Sequence, residues 1–111
     1  MPLSLQTFKA DFFRALAHPI RIRILEVLRK GERSVQELQQ VLDVEQPIVS
    51  QQLAILRGKN IVTARKLGTT VRYALSDPLI TKLLSVAREI FNNHLVDTQT
   101  MLRELQREAR R

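Results

Sequence analysis

Residues 34–58 read SVQELQQVLDVEQPIVSQQLAILRG, and this stretch decides the fold. Ser34 has the character of a helix N-cap. Glu37, three positions on, completes a capping box, in which serine and glutamate each satisfy the other's backbone N–H. The short helix that follows buries Val35, Leu38 and Leu42. Asp43-Val44-Glu45 breaks it, and Pro47 suits the first turn of another helix because no amide hydrogen is needed there. That helix buries Val49, Leu53 and Leu56 and stops at Gly58. Its opposite side shows Gln46, Ser50, Gln51 and Arg57, uncharged hydrogen-bonders with one cation.

Downstream of Gly58 the apolar period changes from helical to alternating. Residues 62–67 (VTARKL) and 71–75 (VRYAL) flank Gly68-Thr69-Thr70, which reads as a β-hairpin with a glycine at its tip. Ser76-Asp77-Pro78 then opens a long last helix, about residues 79–107. Upstream, Leu5, Phe8, Phe12 and Leu16 recur at helical spacing in a first helix, about residues 4–17. It ends near His18-Pro19, since the residue before proline disfavours the helical region. Pro19 opens a second helix that turns Ile20, Ile24, Leu25 and Leu28 inward and stops at Lys30-Gly31. The order is four helices, a hairpin and a long helix, mainly α with a small β-hairpin. Two short helices joined by a tight break and followed by a two-stranded wing form a winged helix-turn-helix. Residues 1–111 are read as one such domain.

The chain has 111 residues, enough for one core but not two. Cysteine is absent, which removes disulfides, thiolate metal sites and thiol redox chemistry together. Eighteen Lys and Arg against eleven Asp and Glu leave a net charge of +7, which favours a polyanionic partner, most often nucleic acid. The charge is not gathered into a block, so it acts as separate patches on a folded surface. No apolar run approaches the ~18 residues needed to span a bilayer. The N-terminus has no basic flank leading into a hydrophobic stretch, so a cytoplasmic location with no membrane contact is expected.

In three strings the sequence resembles the ArsR/SmtB family of bacterial winged-helix repressors. They are residues 15–25 (ALAHPIRIRIL), residues 46–56 (QPIVSQQLAIL) and the wing with Gly68, Tyr73 and Leu75. The resemblance runs over roughly residues 9–106 and implies a homodimer that binds operator DNA and represses transcription until an effector releases it. It also implies where metals would sit. One family site uses a cysteine pair, at positions occupied here by Ser34 and Gln36. The other uses an aspartate, two histidines and a final acid or histidine, at positions that read Asp77, Leu79, Ile90 and Asn93. Several convergent donors are needed to hold zinc or nickel, so neither a metal nor another cofactor is expected, and the effector stays unnamed.

On the residues themselves, Gln46, Ser50 and Gln51 are the candidates for reading base edges, since Gln pairs bidentately with adenine and Ser contacts several bases. Pro47 and Ile48 sit where a thymine methyl can be touched, and Gln52 and Ala54 flank the face. In the wing, Arg65, Lys66 and Arg72 lie near Thr69 and Thr70, which suits phosphate or minor-groove contact; a charged edge that guards against aggregation is the competing reading. For Arg21, Arg23 and Ser34, phosphate binding competes evenly with capping and internal ion pairing. The apolar stripes of the first helix (Leu5, Phe8, Phe12) and the last (Leu83, Ile90, Phe91, Leu95, Leu102) exceed what one small core hides, and are read as a dimer interface. The two histidines have no nucleophile and carboxylate arranged around them, so no enzyme is expected. Two other functions fit the same elements, a nonspecific architectural DNA binder and a protein-docking winged helix.

Overall fold

Every helix after the first starts where local chemistry frees it from needing an amide donor or supplies an acceptor. The structure, a computed structural model, describes residues 4–110. Its elements in order are α1 (Ser4–Leu16), α2 (Pro19–Leu28), β1 (Arg33–Ser34), α3 (Val35–Leu42), α4 (Gln46–Gly58), β2 (Val62–Leu67), β3 (Thr70–Leu75) and α5 (Pro78–Arg110). His18 caps α2, its Nδ1 accepting from the Ile20 N–H at 3.1 Å, with Pro19 as the first helical residue. The capping box of α3 is complete. Ser34 Oγ accepts from the Glu37 N–H at 3.2 Å, and Glu37 Oε1 accepts from the Ser34 N–H at 3.0 Å. Asp77 opens α5, accepting the Leu79 N–H on Oδ1 at 2.9 Å. The tight break between α3 and α4 turns at Asp43, which holds φ 54 in the left-handed region, a conformation that Asp tolerates better than most residues.

Two compact units are distinguished, one up to Thr81 and one from Lys82. The core of the first unit gathers Ile24, Leu25 and Leu28 from α2, Leu38 and Leu42 from α3, and Val49, Leu53 and Leu56 from α4. Ile61, Val62 and Ile80 close it. The residues of α2, α3 and α4 are the apolar positions that periodicity places inward, with Val35 and Ile20 half-buried. The second unit is the helical run of α5 beyond Thr81. The helix ends fall at Leu16 and Arg110 against the expected 17 and 107. Residues 1–3 and 111 of the expected domain span lie outside the described residues.

The sheet has three strands in the order β1-β3-β2, all antiparallel. The hairpin agrees with the expectation, and β1 is an addition to it. Two residues are too short for any alternation to be visible, and Ser34 serves both as ladder partner of Arg72 and as N-cap of α3. Leu67 pairs with Thr70 across the tip, so the turn itself is Gly68-Thr69. Gly68 has φ 65, a conformation glycine adopts without strain from a Cβ. Ser34→Ala removes the cap acceptor, and thermal or denaturant unfolding should show a loss of about 1 kcal/mol. An unchanged midpoint would mean that the Glu37 half of the box suffices.

Candidate nucleic-acid interface

Helix α4 divides into two faces. Val49, Leu53 and Leu56 are fully buried, and Gln52 joins them at 8% exposure. The α-helical turn of about 100° per residue then puts Pro47, Gln51 and Ala54 at the middle of the outward face. Gln46, Ser50 and Arg57 line one edge of it, and Ile48 and Ile55 the other. All of these are exposed, and Gln46, Ser50 and Gln51 make no side-chain hydrogen bond to another described residue. The face thus offers free amide and hydroxyl groups beside methyls, with the cation Arg57 only at its far end. Such a surface can hydrogen-bond an adenine edge and touch a thymine methyl.

Gln52 does not flank this face as expected. Its Oε1 accepts from Arg21 Nη1 at 2.8 Å, while Arg21 Nε and Nη2 donate to the Ala15 and Arg14 carbonyls at 2.7 and 3.3 Å. Arg21 therefore ties the C-terminal carbonyls of α1 to the inner side of α4, rather than standing free for phosphate. Arg23 likewise donates to the Leu42 carbonyl at the end of α3, at 3.2 Å. Ser34 is 7% exposed and occupied by its capping box. All three side chains are thus engaged within the chain, Ser34 in its cap and the two arginines through hydrogen bonds to carbonyl and amide oxygens.

The wing cations divide in the same way. Arg65 and Arg72 are direct cross-strand partners, and each has a glutamate: Arg65 meets Glu32 at 2.8 Å and Arg72 meets Glu37 at 2.6 Å. Hydrogen bonding from Arg65 holds the Glu32 carboxyl below the ordinary glutamate range. The Ser34 N–H, chiefly, and Arg72 do the same for Glu37. The Glu32 carboxylate in turn raises the affinity of Arg65 for its proton. In the sequence Glu37 reads as the acid of a capping box, and Glu32 carries no motif. Glu37 does cap, but pairings across 33 and 35 positions leave no sequence signal. Lys66, Thr69 and Thr70 are exposed, and Lys66 forms no ion pair with a described residue.

Both α1 and α5 expose several large apolar side chains. On α1, Leu5, Phe8 and Phe13 are exposed, with Phe8 at 72%, and Phe12 is half-buried against the Phe13 ring at 5.6 Å. Phe13 is an addition to the expected set, being off the periodic stripe. On α5, Leu83 is half-buried and Ile90, Phe91, Leu95 and Leu102 are exposed. Leu84, Phe91, Leu95, Leu102 and Leu105 recur at heptad spacing, the pattern of a helix that packs along another. Among the described residues no three of His, Cys, Asp and Glu converge as metal donors, and no helix is long and apolar enough to cross a membrane.

Helix, tight break, helix and wing make the first unit a winged helix-turn-helix. The profile described as "Bacterial regulatory protein, arsR family" matches residues 18–64. The chain is 43% identical over 102 residues to Rv0081, an uncharacterized HTH-type transcriptional regulator of Mycobacterium tuberculosis, covering 91% of this chain and 90% of that one. The chain belongs to the ArsR family of bacterial regulatory proteins. The crystal structure of Rv0081 superposes with a TM-score of 0.81 at 44% identity, over 86% of this chain and 96% of that one. The transcriptional repressor BigR of Xylella fastidiosa does so at 0.69 and 35% identity, over 74% and 84%. The homodimeric winged helix-turn-helix DNA-binding domain of Mb0332 from Mycobacterium bovis reaches 0.78 at 26% identity, over 85% and 87%.

Proposed function

We propose that this protein is a homodimeric, sequence-specific DNA-binding repressor that recognises an inverted-repeat operator. Helix α4 enters the major groove, where Gln46, Ser50 and Gln51 read base edges, Pro47 and Ile48 meet thymine methyls, and Arg57 holds phosphate. The wing follows the backbone through Lys66, Thr69 and Thr70. The stripes of α1 and α5 pair two protomers, which brings two copies of α4 to half-sites about one helical turn, ~34 Å, apart. Bound across a promoter, the dimer excludes RNA polymerase. Any effector that relieves it must bind the free and DNA-bound forms unequally. The protein works by binding rather than catalysis, in the cytoplasm with the chromosome it reads.

The observation that carries this reading is the outward face of α4. Its polar groups are exposed and make no side-chain hydrogen bond to another described residue, while the neighbouring Gln52 is turned inward and satisfied. The repressor BigR and the homodimeric Mb0332 domain support the action and the assembly. The test titrates the purified protein onto DNA from its own upstream region and onto a scrambled duplex at two salt concentrations. A preference of ~10³ or more for the natural fragment is expected. Equal affinity for both, vanishing with salt, would replace the reading with a nonspecific architectural role. Absence of DNA binding would leave a protein-docking winged helix.

A further inference from the structure

The hairpin sets Arg65 directly opposite Arg72 on one face, and like charges in that relation repel. Both answers come from outside the hairpin. Glu32 receives Arg65 Nη2 on both carboxylate oxygens, at 2.8 and 3.0 Å, with Nε at 3.3 Å. Glu37 Oε1 receives Arg72 Nη1 at 2.6 Å, and Arg72 Nη2 reaches the Glu32 main-chain oxygen at 3.1 Å. That same Glu37 Oε1 holds the Ser34 N–H of the α3 capping box. Two carboxylates and two guanidiniums of zero net charge therefore link β2, β3, the segment before β1 and the first turn of α3.

The outer hairpin has little else to fix it. Lys66, Leu67, Thr69, Thr70 and Val71 are all exposed, and a two-stranded hairpin without burial is marginal in water. Isolated surface ion pairs contribute little, but bidentate arginine pairs joined in a network are the exception. Strand alternation turns Lys66 to the face opposite Arg65, where it forms no ion pair with a described residue.

We propose that Glu32, Glu37, Arg65 and Arg72 form a charge-neutral clamp that fixes the wing against the start of α3. The two arginines are then positioning residues for DNA contact, and Lys66 carries the wing's phosphate charge. This rests on the DNA-binding reading above. Arg65 Nε and Nη2 and Arg72 Nη1 are already engaged by carboxylate oxygens, and would reach a phosphate only by giving those up.

The test compares wild type, Arg65→Glu, the swapped pair Glu32→Arg/Arg65→Glu, and Lys66→Ala. Two quantities are measured: amide hydrogen exchange over residues 63–74 in the free protein, and affinity for the upstream fragment against salt. Arg65→Glu should speed wing exchange and weaken binding about tenfold, and the swap should bring both back to within about threefold of wild type. Lys66→Ala should leave exchange unchanged and lower the slope of log K against log salt by about 0.9 for each phosphate the lysine neutralises. A swap that restores exchange but binds as weakly as Arg65→Glu overturns the positioning role and makes Arg65 a phosphate ligand. A swap that does not restore exchange overturns the clamp. Should wild type show no preference for its own fragment, the DNA reading falls separately, and exchange alone decides the clamp.

Discussion

Leu95→Glu is expected to yield a monomer that no longer holds its operator. Leu95 is 61% exposed on α5 and Phe91, one turn before it, is 64% exposed. Leu102 and Leu105 continue the same heptad spacing, a stripe that costs free energy to leave in water. In the proposed dimer this stripe is covered by the second protomer. A carboxylate placed there must be buried unpaired or must neutralise, at a cost of several kcal/mol. Two copies enter one symmetric interface, so dimer affinity should fall at least ~100-fold. Sedimentation equilibrium at micromolar concentration reads the mass, and operator titration reads the consequence, because a single α4 keeps only one half-site. Val41→Glu is the control, since Val41 is 55% exposed on α3, a helix that contributes to neither stripe. An unchanged dimer mass for Leu95→Glu, or an equal loss in the control, would remove α5 from the interface.

Gln51→Ala is expected to abolish much of the discrimination between operator and scrambled DNA while leaving the fold intact. Gln51 lies at the centre of the outward face of α4, exposed and with no side-chain hydrogen bond to another described residue. A bidentate contact to a base contributes about 1–3 kcal/mol of discrimination, and the dimer makes it twice. Operator affinity should therefore drop by about 5- to 150-fold per half-site, with scrambled-DNA affinity and salt slope unchanged. Equal losses on both duplexes would mean that Gln51 holds backbone. No loss on either would mean that another face reads the DNA.

Much of this is legible in the chain because it depends on chemistry within about four residues. Ser34 and Glu37 cap α3, Pro19 and Pro47 open α2 and α4, Asp43 turns the break, and Gly68 turns the wing, each where its backbone preference requires. Gln52 departs from the expectation although its position announces it. It stands three residues from Val49 and four from Leu56, on the inner side of the helix, and only its polarity argues for the outside. β1 is invisible in the sequence because two residues carry no period.

The sequence by itself determined the order of the helices and the hairpin, the caps that start them, the buried face of α4 and therefore the outward display of Gln46, Ser50 and Gln51. Periodicity and capping are local and act the same way in any surroundings. Tertiary structure alone decided what Arg21, Arg65 and Arg72 meet. A guanidinium binds a phosphate, a carboxylate or a carbonyl by the same donors, so residue type could not separate Arg21, Arg65 and Arg72 from free DNA-facing cations. Their partners Gln52, Glu32 and Glu37 lie 31, 33 and 35 positions away, and only the packing of α2 on α4 and of the wing beside α3 brings them within reach.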